Sequence, residues 1–318
     1  MSSETFVQLP TIDFCNSDLK PGTSEWELLK SQVWKAISEY GSFRALYGKI
    51  PLHLQKSFLG EVKEFFDLPL QTKKRYVSEV PFDSYSMSIL PASLRESFGV
   101  GDPTTLKNCE DFANVLWPQG NPSFSKNIHA FSKQVSEFEI IIRRMILESL
   151  NLENYQDHHM NATTLFLRIM KYHGMPEGTK TTDALSPHTD QNLITILHQN
   201  QVDGIEVQSK DGEWTSVELS PDHSFVILIG KSFNAWTNGR LRAPYHRVRM
   251  TGNEARYSAG FFTGFKAGHF LKAPEELIDE EHPLLYKPYD YFEFLKFLKT
   301  WVPNAKPYQC GLKAYCGV

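Results

Sequence analysis

Along the first half of the chain, apolar side chains recur at helical spacing. Trp26, Leu29, Val33, Ile37 and Tyr40 fall on one face, because residues three and four apart on a helix share a side. Ser24 and Glu27 precede them as an S-x-x-E capping box, and Gly41 supplies a stop. A second helix opens with Pro51 in its first turn, carries Phe58, Val62, Phe65 and Phe66, and ends before Pro69. A long third helix, from about Ser123 to Leu150, bears Ile128, Phe131, Val135, Phe138, Ile142, Met145 and Ile146 on one stripe. These stripes are expected to face a core. Between the second and third helices, the Ser-, Pro- and Gly-rich stretch from Ser84 to Cys109 predicts a long covering loop.

From Thr163 the period becomes that of strands. Short β-rich runs follow one another at Thr164–Tyr172, Leu193–His198, Ile205–Val207, Phe225–Ile229, His246–Met250 and Arg256–Phe265. Turn pairs such as Asp203-Gly204, Asp211-Gly212 and Asn238-Gly239 separate them. Many short strands so punctuated predict a barrel or a two-sheet jelly roll. Leu9–Phe14 reads as one more short strand, and Phe292, Phe294, Leu295, Phe297 and Leu298 predict a C-terminal helix. The expectation is one compact unit of mixed α and β class. A mainly helical region spans 1–160, a β core 161–270, and a helical extension 271–318.

The composition narrows the function. The 318 residues are 41% hydrophobic and 22% charged, enough for a sizeable core. With 33 Lys and Arg against 37 Asp and Glu, the net charge of -4 gives no basic surface for nucleic acid. The apolar run Phe225–Ile229 is far too short to span a bilayer. The start shows no basic and apolar signal pattern, and Cys15, Cys109, Cys310 and Cys316 lack paired spacing. A cytoplasmic monomer acting on a small molecule, with no nucleic-acid or membrane partner, is expected.

Chemistry concentrates in the β-rich half. In His188-Thr189-Asp190, residues two apart on extended chain point the same way, so an imidazole and a carboxylate converge. His246, opening another strand, offers a third ligand. Two His and one carboxylate leave one face of a metal open, the facial triad of non-haem Fe(II) oxygenases. Ten residues later, Arg256-Tyr257-Ser258 places a guanidinium fork and a hydroxyl on one strand face, suited to the far end of a dicarboxylate.

This order, together with LSPHTDQNLITILHQ, VDGIEVQSKDGEW, FVILIG, TNGRLRAPYHRVRM, ARYSAGFF and the opening LPTIDF, resembles the plant-type 2-oxoglutarate- and Fe(II)-dependent dioxygenases over nearly the whole chain. APYHRV and the short N-terminus look most like the branch with glucosinolate side-chain dioxygenases and steroidal-alkaloid hydroxylases. The resemblance implies a double-stranded β-helix core braced by N- and C-terminal helices. It implies Fe(II) on His188, Asp190 and His246, with O2 and 2-oxoglutarate as co-substrates, the latter held at its distal carboxylate by Arg256 and Ser258. It places Phe262 beside the substrate. Where the family has N-Y-Y before a Pro, this chain has Lys171-Tyr172-His173, so Tyr172 or His173 is expected to complete the co-substrate contact. Gly230-Lys231 replaces the family's usual Gly-Asp.

The implied activity is hydroxylation, or desaturation or ring closure, of a small, largely apolar specialised metabolite, with release of succinate and carbon dioxide. An iron oxidase of the same fold without 2-oxoglutarate, a zinc-dependent hydrolase and a non-catalytic binding module are the alternatives. Tyr85, Phe98 and Met170 join Phe262 as expected pocket residues. His158-His159 is expected to be an exposed pair, and His198 and His223 hydrogen-bonded core residues. Gly230-Lys231-Ser232 lacks the earlier glycine of a phosphate-binding loop.

Overall fold

Thr23, one residue ahead of the expected cap, starts the first helix: its side chain accepts from the Trp26 N–H. The computed structural model describes residues 9–15, 19–81, 83–90, 93–178, 181–218, 223–301 and 310–318. In chain order these form β1 (Thr11–Asp13), α1 (Ser24–Glu39), β2 (Ser42–Leu46), α2 (Leu52–Asp67), α3 (Leu70–Lys73), β3 (Ser86–Leu90), β4 (Ser93–Gly101), α4 (Leu106–Leu116), α5 (Pro122–Ser149) and α6 (Gln156–Ala162). The second half adds β5 (Thr163–Tyr172), β6 (Thr182–His188), β7 (Ile194–Gln199), β8 (Ile205–Gln208), β9 (Trp214–Ser216), β10 (Ser224–Ile229), α7 (Lys231–Trp236), β11 (His246–Met250), β12 (Arg256–Phe265), β13 (Phe270–Leu271), β14 (Tyr289–Asp290), α8 (Tyr291–Trp301) and α9 (Gly311–Cys316).

Two sheets make the core of a jelly roll. The major sheet runs β1-β2-β10-β7-β12-β5-β4-β3 and the minor one β6-β11-β8-β9. Strand alternation sorts the side chains into two apolar layers. Phe225, Ile227 and Ile229 of β10 face the helices, whereas Val226 and Leu228 face the space between the sheets. Burial on both sides explains why that strand is continuously apolar. Helix α5 lies across the outer face, where Phe131 stacks on Phe58 of α2 and meets Phe261 of β12. The 13 buried residues of α5 make it the brace that the stripe predicted.

The stretch from Ser84 to Cys109 is no covering loop. It forms the β3–β4 hairpin, which extends the major sheet through pairing of Arg95–Gly101 with β5, and then enters α4. The glycines that suggested a loop answer a packing demand: a Cβ on Gly99 would lie 2.6 Å from the Asp83 Cα, and glycine within a strand marks such close approach. His159 differs from expectation as well. It is buried among Phe233 and Trp236 of α7 and Phe265 of β12, while His158 is exposed. His198, on the outer face of β7, packs between Phe131 and Phe225, and Nδ1 of His223 bonds Gln55; neither reaches the inner face.

Candidate active site

Pairing of β6 with β11 places His188 directly opposite His246, with ring centroids 4.2 Å apart. The strand ends at His188, so Asp190 stands just beyond it, ahead of β7. Other contacts aim it. Thr195 donates its hydroxyl to Asp190 Oδ2 at 2.6 Å, and the Lys231 N–H bonds the Asp190 carbonyl at 2.8 Å. Gly230 makes that approach feasible, since a Cβ there would sit 2.0 Å from the Asn192 carbonyl oxygen. Asp190 Oδ1 then lies 3.7 Å from His188 Nε2 and 3.6 Å from His246 Nε2.

These separations exceed hydrogen-bond lengths, and one ligand atom from each residue lies within 4.8 Å of the other two. The three groups face a common point. His188 Nδ1 lies 3.0 Å from the Ser186 carbonyl; a carbonyl only accepts, so that nitrogen carries the proton and Nε2 presents a lone pair. Burial and the neighbouring His246 press the His188 pKa down to about 4, which keeps its imidazole in the neutral, ligating form. Two imidazoles and a carboxylate are a donor set that suits ferrous iron, so the residues present fit the metal.

Arg256 and Ser258 share the inner face of β12 between the sheets, 1% and 0% exposed. Arg256 Nη1 donates to Ser258 Oγ at 3.1 Å, and Nε donates to Gln199 Oε1 at 3.1 Å. Its guanidinium lies 5.1 Å from the ring of Tyr172, its cross-strand partner. These partners are all neutral; burial lowers the pKa of Arg256, while Tyr172 and then Asp203 pull it back. A buried cation without a contacting anion fits an incoming carboxylate. His173 turns to the other side of the strand, where Nε2 meets Glu96 at 2.9 Å, so only Tyr172 of the pair lies beside Arg256.

Beside His188 and Asp190 opens a cavity of about 600 Å³. Met170 and Phe262 are on its wall. Tyr85 and Phe98, expected there, lie elsewhere. Phe98 is fully buried in an aromatic cluster with Phe65, Tyr76 and Phe112, because it alternates to the helix-facing side of β4. Tyr85 gives its hydroxyl to Glu96, which also pairs with Lys73. Thr195, Gln199, Arg95 and Arg168 were not singled out by the sequence, and Lys231 was noted there only as a departure from the family. The first four are common polar residues with no motif of their own, brought to the site by sheet pairing, while Lys231 arrives on α7.

The chain matches the model of the 2OG-Fe(II) oxygenase superfamily over residues 155–264, and that of the non-haem dioxygenase in morphine synthesis N-terminal region over 9–120. It is 46% identical over 298 residues to the Arabidopsis thaliana "Probable 2-oxoglutarate-dependent dioxygenase AOP1.2", covering 92% of this chain and 91% of the relative. The chain belongs to the 2-oxoglutarate- and Fe(II)-dependent dioxygenases. Another Arabidopsis member, the 2-oxoglutarate-dependent dioxygenase AOP2, is 30% identical over 98% of both chains. The solved Arabidopsis dioxygenase for auxin oxidation 1, in its 2-oxoglutarate complex, superposes with a TM-score of 0.77 at 25% identity, over 87% of this chain and all of that one.

This dioxygenase is an oxidoreductase that uses iron and 2-oxoglutarate. Its relatives lend nothing to the oxidase without 2-oxoglutarate or to the zinc hydrolase. Among the described residues, no helix is long and apolar enough to cross a membrane.

Proposed function

We propose that His188, Asp190 and His246 hold the ferrous ion, and that Arg256 and Ser258, flanked by Tyr172, bind the distal carboxylate of 2-oxoglutarate. In this reading the cavity along Met170 and Phe262 receives a small, largely apolar specialised metabolite and the enzyme hydroxylates it. The observation that carries the reading is the meeting of three ligand atoms within 4.8 Å, in the same fold as a buried arginine whose partners are neutral. When bound, the iron and the keto acid supply the oxidising chemistry with loss of carbon dioxide. The chain's own share is placement. Arg256 and Ser258 fix one end of the co-substrate, and the cavity wall holds the C–H bond near the metal ligands while keeping bulk water out. Hydroxylation needs no further group on the protein, so it is favoured over desaturation or ring closure.

The test is succinate release by purified protein given ferrous iron, O2, 2-oxoglutarate and candidate metabolites. Stimulation by a metabolite that leaves with one added oxygen is expected; turnover that persists without 2-oxoglutarate would contradict the reading. A finer check lies behind the metal. Thr195→Val removes the donor to Asp190 Oδ2, and iron affinity should fall by about 10- to 100-fold, the usual loss when a partner of a metal ligand is removed. Titration with iron while activity is followed reads that change directly.

A further inference from the structure

The inner face of the major sheet carries more cations than the iron and 2-oxoglutarate sites use. In register across three strands, Arg95 of β4 and Arg256 of β12 flank Tyr172, while Gly99 and Gly260 flank Arg168 of β5. Strands stand about 4.8 Å apart, so the backbone of Arg95 is about two spacings from that of Arg256, and of the two only Arg95 lines the cavity. Arg95, Arg168 and Lys231 all line the 600 Å³ cavity. Among the described residues, Arg95 and Lys231 make no side-chain hydrogen bond or ion pair, and Arg168 makes one hydrogen bond, to Ser97 Oγ at 3.2 Å.

The two guanidinium groups repel each other, and Asp83 and Asp190 attract Arg168 only from beyond contact. A divalent cation, Asp190, Arg256 and a dicarboxylate neutralise one another. That leaves three cations on the wall against the carboxyl of Asp83, which burial holds up at about 6 despite Arg168. Arg95 and Arg168 are half-buried on the wall of one cavity whose lining carboxylates are Asp83 and Asp190, so an incoming anion meets uncompensated positive charge there. Phe166, Phe262, Leu298 and Trp301 give the wall an apolar stretch, and the volume suits a drug-sized molecule.

We propose that the substrate is an organic acid: its oxyanion head, a carboxylate or a sulfate ester, docks on Arg95 and Arg168, and its apolar body lies along Phe166 and Phe262. This rests on the cavity being the substrate site of the dioxygenase. The test is calorimetric binding to the anaerobic protein loaded with Fe(II) and 2-oxoglutarate. The ligands are straight-chain phenyl-capped acids from 3-phenylpropanoate to 6-phenylhexanoate, with the matching primary amides, amines and sulfate esters. The best acid should bind about 10- to 100-fold tighter than its amide, as charge-assisted pairing to arginine implies. Arg95→Met and Arg168→Met should each erase most of that preference while leaving amide binding within about twofold. Because Arg95 has no partner to strand, its variant keeps the fold.

Tight binding of the sulfate ester as well as the acid identifies a general oxyanion site, and binding of the acid alone identifies a carboxylate site; both support the proposal. An amide or amine that binds as well as the acid overturns it, as does failure of every acid to bind a complex whose visible metal–keto-acid band has formed. Absence of that band instead defeats the assignment of the metal and co-substrate site, and this inference falls with it.

Discussion

Asp190→Ala protein is expected to release succinate at least about a thousandfold more slowly than the wild type, because a metal-centred reaction loses both its anchor and the anionic ligand that sets the metal's charge. Iron content should drop in parallel, with two imidazoles left to hold a divalent ion. The change separates function from folding. Thr195 Oγ also lies 3.2 Å from Asn192 Oδ1, so its hydroxyl keeps a partner when the carboxylate is gone, and the loop stays tied through the Lys231 N–H to the residue 190 carbonyl. Melting temperature should therefore move little while turnover vanishes. His188→Ala should match it in activity. Retention of wild-type turnover by either variant refutes the assignment of the metal site.

Arg256→Met should raise the KM for 2-oxoglutarate by about 100-fold, the cost of losing a charge-assisted fork on a carboxylate in a buried site. Arg256→Lys should not restore it, since an ammonium cannot present two parallel N–H groups. The same substitution has an opposite effect on stability. In the ligand-free protein the guanidinium is buried against the neutral Gln199, Ser258 and Tyr172, and burial disfavours its charged form. A methionine of similar length removes that penalty, so the ligand-free variant should be more stable by about 1–3 kcal/mol. Thermal unfolding with and without 2-oxoglutarate checks both signs: a higher baseline and a lost ligand-induced rise. A variant that melts lower, yet still gains stability from 2-oxoglutarate as the wild type does, would show that Arg256 only supports the fold.

Several strands that build the site were legible because burial fixes their pattern. β10 and β12 are apolar on both faces or on alternate positions, and β11 begins at His246 as its sequence suggested. The misses share a cause. Strand β6, which delivers His188, is half exposed and contains Pro187 near its end, so it has neither alternation nor a continuous apolar run; it lies at the edge of the minor sheet, where proline is tolerated. The β3–β4 hairpin was hidden by serines and glycines. Its stability comes from ten-residue β5 alongside it, a partner about 70 residues later in the chain for which no local signal exists.

By itself, the sequence determined the local facts: the stripe of α5, the strands flanking His246, the spacing of two that puts Arg256 and Ser258 on one face, and the ligand types that suit ferrous iron. These depend on neighbours three or four residues away, or on side-chain chemistry alone. Only the tertiary structure decided which groups meet. It set His188 opposite His246, aimed Asp190 through Thr195, sent His173 to Glu96 and kept Tyr172 beside Arg256, buried Phe98, and turned Arg95, Arg168 and Lys231 into one cavity. Each of those outcomes follows from strand register between distant segments, where a shift of one residue would send every side chain to the other face.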